Sequence, residues 1–235
     1  EELQRIIAGR DKLYSVIAHD LRSPMGSIKM VLNMLMLNLP VEKIGGEMYE
    51  LLTMANRTTE DVFSLLDNLL KWTKSQIGNL NVVYQDVDAV EVVDSVIDVF
   101  NMVAGLKKIT IREEKPEKLP VCTDIDMLKT IIRNLLSNAI KFSNENSEVL
   151  VKMEEQGDTV VVSVKDSGCG IDEEGQKKLL HTDTHFSTFG TNNEEGSGLG
   201  LLLCQDFAVK SGGKLWFTSK KGEGSTFYFS IPLKK

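Results

Sequence analysis

Ser15-Val16-Ile17-Ala18-His19-Asp20-Leu21-Arg22-Ser23-Pro24 is the stretch on which the reading of this chain turns. Around it Ile7, Tyr14, Leu21, Ile28 and Leu35 recur every seven positions, with Leu3, Ile17 and Val31 between them on the same side. That is the apolar stripe of a coiled-coil-like helix. At about 100° per residue the Ile17/Leu21 seam points away from His19, whereas Ser23, one turn on, lies within about 40° of it. The spacing therefore predicts a histidine held out to solvent, beside a carboxylate and one turn before a hydroxyl. An imidazole of ordinary pKa, about 6.5, keeps a free lone pair near neutral pH, and a carboxylate such as Asp20 can hold or accept its other ring proton. Pro24 costs a helix interior roughly 3 kcal/mol and removes the hydrogen bond to the carbonyl of Asp20. Ending the helix at Ser23 is one reading. The apolar period running on through Ile28, Val31, Leu32 and Leu35 predicts instead a helix that continues with local give.

Working outward, residues 1–39 read as one long helix and Leu39-Pro40 through Gly45-Gly46 as a turn. A second helix is predicted from Glu47 to Ile77, with Leu51, Ala55, Val62, Leu65, Leu66, Leu69 and Trp72 on its apolar side. A hairpin of two such helices cannot bury its stripe alone. Two copies forming a four-helix bundle can, so a homodimer is expected. Gly78-Asn79 then loosens the chain, which divides it into domains at 1–77 and 78–235.

Beyond that point β-branched runs alternate with helical stretches. Strands are predicted at Val82–Val87, Ile109–Arg112, Val149–Glu154, Val160–Asp166, Leu215–Ser219 and Thr226–Ile231. Helices are predicted at Ala89–Ala104, Asp124–Phe142, Asp172–Leu180 and Gly198–Ser211. Gln156-Gly157-Asp158 and Lys221-Gly222-Glu223-Gly224 read as hairpin turns, the second as a solvated tip. Strands and helices in unequal order fit an α+β layer better than a doubly wound sheet.

The chain of 235 residues, 42% hydrophobic and 26% charged, has room for two cores. No apolar run reaches the ~20 residues of a membrane span, so no direct membrane contact is expected of this segment. The formal net charge is −7, and residues 1–77 hold 9 basic and 10 acidic side chains against 18 and 24 in 78–235. Neither part has the basic excess of a nucleic-acid binder. Cys122, Cys169 and Cys204 are odd in number and widely spaced, which favours a reduced, cytoplasmic setting over a disulfide framework. His181 and His185 are an i, i+4 pair with no third ligand at metal spacing.

Three further motifs carry chemistry. In Ile131-Ile132-Arg133-Asn134-Leu135-Leu136-Ser137-Asn138-Ala139-Ile140-Lys141-Phe142-Ser143 the two asparagines share one helix face with Lys141 a turn further. They offer neutral oxygens to a hard cation such as Mg2+ and a point charge to phosphate, although a plain surface helix would also fit. Asp166-Ser167-Gly168-Cys169-Gly170 follows a strand, with glycines where the backbone must turn sharply or approach a ligand. An acceptor-only carboxylate there would take the amino group of adenine and repel the carbonyl of guanine; a plain strand-end turn is the other reading of the motif. Gly196-Ser197-Gly198-Leu199-Gly200 opens an apolar helix whose N–H groups could meet phosphate oxygens. It is neither a Walker loop nor a dinucleotide fingerprint.

In this order the four motifs resemble the H, N and two glycine boxes of sensor histidine kinases with a HisKA-type dimerisation domain, and the resemblance covers nearly the whole chain. It implies a dimeric all-α bundle followed by an α/β-sandwich ATP-binding domain of the Bergerat type. By it His19 takes the γ-phosphoryl group of ATP and passes it to an aspartate of a response regulator receiver domain, with Asp20 as its acid–base partner. Asn138 becomes the principal Mg2+ ligand, Asn134 assists, Lys141 meets a phosphate and Phe142 covers the adenine. Asp166 reads the base within the first glycine box with Gly168 and Gly170, and Gly196, Gly198, Leu199 and Gly200 form the second. His181–Glu195 would be the lid over ATP, with Phe186, Ser187, Thr188 and Gly190 as a divergent F box. Ser23 replaces the Thr or Asn common at its position but keeps a hydroxyl, so phosphatase activity is expected to survive. In the related chaperone and gyrase ATPases a glutamate near position 134 activates water, whereas an amide cannot accept a proton at neutral pH. That favours a kinase over an ATPase of the same superfamily, and the intact nucleotide motifs disfavour a silent dimeric adaptor. The segment reads as the cytoplasmic catalytic part of a membrane-anchored receptor, with Glu1–Arg10 continuing an upstream signalling helix.

Overall fold

The computed structural model describes residues 2–39, 45–76, 82–179, 190–191 and 198–233. They fall into two compact units, Glu1–Asn81 and Val82–Lys235.

The first unit is a pair of helices, α1 (Glu2–Asn38) and α2 (Gly46–Gln76). Helix α1 runs through Pro24, as the apolar period on its far side predicts. Met25 packs with Val62, Leu66, Leu69 and Leu70 between the helices. Arg22 pairs with Asp67 across the same seam, and Lys71 holds the other carboxylate oxygen at 3.0 Å. Much of the predicted stripe is not covered by α2. Ile17, Leu21, Ile28, Val31 and Leu35, together with Met30 and Met34, remain between 37% and 58% exposed. On α2, Leu66 is buried, but Leu51, Ala55 and Leu65 are exposed, and the side chain of Trp72 lies outside the described residues.

The second unit begins with β1 (Gln85–Asp88) and α3 (Ala89–Leu106), followed by β2 (Thr110–Glu114), β3 (Pro120–Thr123) and α4 (Ile125–Phe142). Strands β4 (Glu148–Gln156) and β5 (Thr159–Lys165), helices α5 (Glu173–Lys178) and α6 (Leu199–Lys210), and strands β6 (Leu215–Lys220) and β7 (Gly224–Pro232) complete it. Five strands form one sheet in the order β2-β4-β5-β7-β6, with β2 parallel to β4 and the other neighbours antiparallel. Both predicted hairpins are present. The strand expected at Val82–Val87 starts three residues later, at Gln85, and pairs antiparallel with β3, from Gln85↔Thr123 to Asp88↔Pro120. Strand β3 was not predicted, because a four-residue strand opening on proline carries little periodic signal.

Alternate residues of the central strands, Val149, Val151, Met153, Val160, Val162, Val164, Phe227, Phe229 and Ile231, are buried. Helix α4 lies between α3 and α6 and also meets β5. Its apolar positions 131, 132, 135, 136, 139 and 140 are all buried, which leaves the Asn134/Asn138 face turned elsewhere. Asp124 starts this helix as N-cap, accepting from the N–H groups of Asp126 and Met127 through Oδ1 and from Val83 N–H through Oδ2 at 2.9 Å. Tyr84 donates its hydroxyl to the carbonyl of Lys210 at 2.7 Å, so residues 83 and 84 tie the start of α4 to the end of α6. Among the described residues no helix is long and apolar enough to cross a membrane.

Candidate functional site

Helix α4 supplies the first group of side chains. The amide of Asn134 donates through Nδ2 to the carbonyl of Thr130 at 2.9 Å, which leaves Oδ1 as a neutral oxygen. That oxygen faces the start of α6, where a Cβ on Gly200 would lie only 2.6 Å away. Glycine at 200 is thus what lets the first turn of α6 approach the asparagine face. Asn138 is half-buried and its amide bonds to none of the described residues. One turn further, Lys141 Nζ sits 5.0 Å from the centre of the Phe142 ring.

The loop after β5 forms the second group and lies against the last turn of α4. Cys169 N–H donates to the carbonyl of Phe142 at 3.4 Å, and a Cβ on Gly168 would fall 2.0 Å from that same oxygen. Asp166 is 4% exposed, and its Oδ1 accepts from Gly168 N–H at 2.9 Å and Ser225 N–H at 3.1 Å. None of the described residues engages Oδ2. Burial pushes the Asp166 carboxyl above the usual carboxylate range, and the backbone N–H groups of Gly168, Ser225 and Asp166 itself oppose that rise. The loop thus fixes one oxygen of a buried carboxylate and leaves the other for a ligand.

The β6–β7 hairpin backs this loop, a contact that local patterns scarcely announce. Gly170 adopts φ +60°, and a Cβ there would lie 2.0 Å from the carbonyl of Lys220. Gly222 N–H donates to the carbonyl of Cys169 at 2.7 Å. Ile171 N–H donates to Ser219 Oγ at 2.8 Å, and that hydroxyl lies 2.9 Å from Ser225 Oγ. Gln176 donates to the carbonyls of Ile171 and Ser219 at 2.7 and 3.1 Å. The turn expected to be a solvated tip does expose the side chains of Lys220 and Lys221, but its backbone is the support of the glycine loop. The glycine at 224, in strand position with φ +102°, is the one local sign that another backbone passes close by.

Helix α6 provides the third group. Gly198 is its N-cap in the left-handed conformation, φ 68°, and as a glycine it brings no capping side chain of its own to the first turn, which Leu199 and Gly200 begin. Gly196 lies outside the described residues, as do Phe186, Ser187, Thr188, His181 and His185; Gly190 is described and half-buried. His19, Asp20 and Ser23 stand in α1, in the other unit. Asp20 and Ser23 are exposed, whereas the side chain of His19 is outside the described residues, so the predicted orientation of its imidazole lies outside them too. Asn134, Asn138, Lys141, Phe142, Asp166, Gly168, Gly170, Gly198 and Gly200 are thus gathered within one unit, around the exposed side of α4.

The profile of the histidine kinase-, DNA gyrase B-, and HSP90-like ATPase family matches residues 123–235. The catalytic domain of histidine kinase ThkA is 30% identical, with a TM-score of 0.56 over 64% of this chain and 96% of that domain. This chain belongs to the sensor histidine kinase family. Full-length ShkA, solved in complex with AMPPNP, shares the fold at 21% identity, with a TM-score of 0.73 over 95% of this chain and 46% of that one. The adaptive-response sensory kinase SasA of Crocosphaera subtropica is 29% identical over 99% of this chain. The chain spans 62% of the length of that relative. The family match begins at the last residue of β3 and takes in Asn134, Asn138, Asp166 and the glycines of the site just described.

Proposed function

We propose that the chain is the ATP-dependent catalytic core of a two-component sensor histidine kinase, acting in the cytoplasm, with His19 as phosphoacceptor and the aspartate of a response regulator receiver domain as the next acceptor. The observation that carries the nucleotide half is Asp166. Its carboxylate is buried, one oxygen is held by two backbone N–H groups, and the other is left for the exocyclic amino group of adenine. A carbonyl in that place, as in guanine, would meet an oxygen and be rejected. Phe142 would cover the base, and Lys141 and the first turn of α6, with Gly196 leading into it, would receive the phosphates.

Asn138 and Asn134 would hold Mg2+. Their chemistry fits: Asn138 is unused by the described residues and Asn134 keeps its amide oxygen, the neutral hard donors a magnesium ion takes alongside substrate phosphates. The ion supplies charge neutralisation across the phosphates. In the transfer step the lone pair of the His19 imidazole attacks the γ-phosphorus, the bond to the β,γ-bridging oxygen breaks, and ADP leaves with that electron pair. Asp20 holds the proton on the other ring nitrogen and stabilises the cationic ring that forms. No carboxylate stands at position 134 to take a proton from water, so the phosphoryl group is kept for the histidine. Ser23, exposed and four residues beyond His19, would orient water through its hydroxyl when the regulator is dephosphorylated.

The exposed row Ile17, Leu21, Ile28, Val31 and Leu35 supports the dimer reading. Single apolar residues at a surface are ordinary, but a contiguous helical row is what a second copy would cover in a four-helix bundle. The test of the whole reading is incubation with γ-labelled ATP and magnesium. Acid-labile, base-stable label is expected on the wild-type chain and none on His19→Ala, which should bind nucleotide normally. Label that persists in the variant would remove His19 from its role.

A further inference from the structure

Lys107 ends α3, away from every motif the sequence singled out, yet its ammonium is buried at 7% exposure. A buried ammonium is costly unless all three of its N–H donors are met. Here Nζ donates to the carbonyl of Ile140 at 3.0 Å, to the carbonyl of Lys141 at 2.9 Å and to Thr191 Oγ1. Thr191 completes the knot, its N–H donating to the Lys141 carbonyl at 3.1 Å and its hydroxyl to the Ser143 carbonyl at 2.7 Å. The two lysine-bound carbonyls belong to the last turn of α4, where a helix has carbonyls without internal partners and its dipole is negative.

Solvent alone could satisfy such carbonyls. The fold instead brings a cation from α3 and a hydroxyl from the stretch between α5 and α6 to the one turn that carries Lys141 and Phe142. That turn also receives the glycine loop of Asp166 through the Phe142 carbonyl. We infer that Lys107 and Thr191 form a clamp that positions the last turn of α4, and so sets Lys141 and Asn138 for the phosphates without touching nucleotide themselves. The inference rests on the nucleotide reading above and adds two positioning residues to it.

The clamp acts at the phosphate end of the site, whereas Asp166 governs the base end, so its loss should separate ligands by phosphate number. The experiment measures binding of ATP and AMP, with magnesium present, to the full chain by competition against a fluorescent ATP analogue. Thr191→Val keeps shape and removes only the hydroxyl, and it is the primary variant because residue 191 is exposed and outside the core. Its ATP affinity should fall by several-fold to roughly tenfold, the scale of one net hydrogen bond, while AMP affinity stays within about twofold. Lys107→Met should lower the ATP-to-AMP ratio further, and Lys107→Arg, which keeps charge and donors, should restore part of it. A purely structural lysine would lower both affinities together along with the melting temperature. An unchanged ATP-to-AMP ratio in Thr191→Val, or an equal loss of both ligands, overturns the clamp. A wild-type chain that binds neither nucleotide, or gains nothing from the β- and γ-phosphates, overturns the nucleotide reading itself and the clamp with it.

Discussion

Replacing Asp166 by Asn isolates base recognition, because the structure says which half of the side chain is free to change. Oδ1 already accepts from Gly168 N–H at 2.9 Å and Ser225 N–H at 3.1 Å. An asparagine can keep its carbonyl oxygen there, so the loop and the fold should survive. The other position then presents an NH2 group where adenine presents its own, and a donor faces a donor. The loss is that of a hydrogen bond to a charged acceptor, about 1.5–3 kcal/mol, or roughly 10- to 150-fold in Kd. Calorimetric titration with ADP measures it, and the same titration with GDP should show the preference for adenine shrinking, since NH2 suits the guanine carbonyl. The wild-type carboxyl also gives a pH signature. Burial raises its folded pKa above the unfolded value, so the folded state holds the proton more tightly. The associated stability is fully present below the unfolded pKa and is lost as pH rises through the raised folded value. Binding runs the other way, because adenine needs the ionised acceptor and affinity falls as the group protonates. Acidification should therefore weaken ADP binding by wild type while sparing the fold, and Asp166→Asn should show no such dependence. Wild-type affinity in the variant, or an identical pH profile, would refute the assignment of Asp166 to the base.

Gly168→Ala puts a Cβ 2.0 Å from the Phe142 carbonyl oxygen, a clash with backbone that only a loop shift relieves. Overpacking of this kind costs about 1–3 kcal/mol, so thermal unfolding should move down and ADP binding weaken together. Asn134→Glu installs a carboxylate where the related ATPases keep theirs. Labelling of His19 should drop and free phosphate release should appear in a phosphate assay, whereas normal labelling without hydrolysis would mean that residue 134 does not face the γ-phosphate. Val31→Glu places a charge within the exposed row of α1, and light scattering should report monomers where the wild-type chain reports dimers; an unchanged mass would put the subunit contact elsewhere.

The parts of this molecule that follow from neighbours within a few residues were legible in the sequence. The apolar period of helical spacing over Asp124–Phe142 gave α4, its buried positions and the outward face of Asn134 and Asn138, because a helical period is a local fact. Turn glycines at 157, 222 and 224 gave both hairpins for the same reason. What stayed hidden is what the register of distant strands brings together. Strand β3 exists because Gln85–Asp88 comes alongside it, and Ser225 reaches Asp166 across 59 residues through the pairing of β5 with β7. Nothing near Lys107 marks it as other than a surface lysine until the end of α4 is placed beside it. The α1 stripe stands between these cases. Its period is plain, but the period does not say which surface covers it, and α2 takes only the side around Met25.

Helix α4 shows why the division falls where it does. Its residues announce a face, and that face acquires a chemical meaning only through five distant partners. Val83 is held at its first turn, Gly200 admits α6 to Asn134 in its middle, Cys169 brings the Asp166 loop to the Phe142 carbonyl, and Lys107 with Thr191 closes its last turn. Each of these contacts needs a backbone approach or a buried donor at one place, so each is sensitive to a single atom. A methyl group at position 168 should therefore disturb nucleotide binding more than the loss of a methylene from a buried leucine on the opposite face of the same helix. The leucine's loss leaves the backbone where it was, whereas the methyl group moves the loop that carries the acceptor.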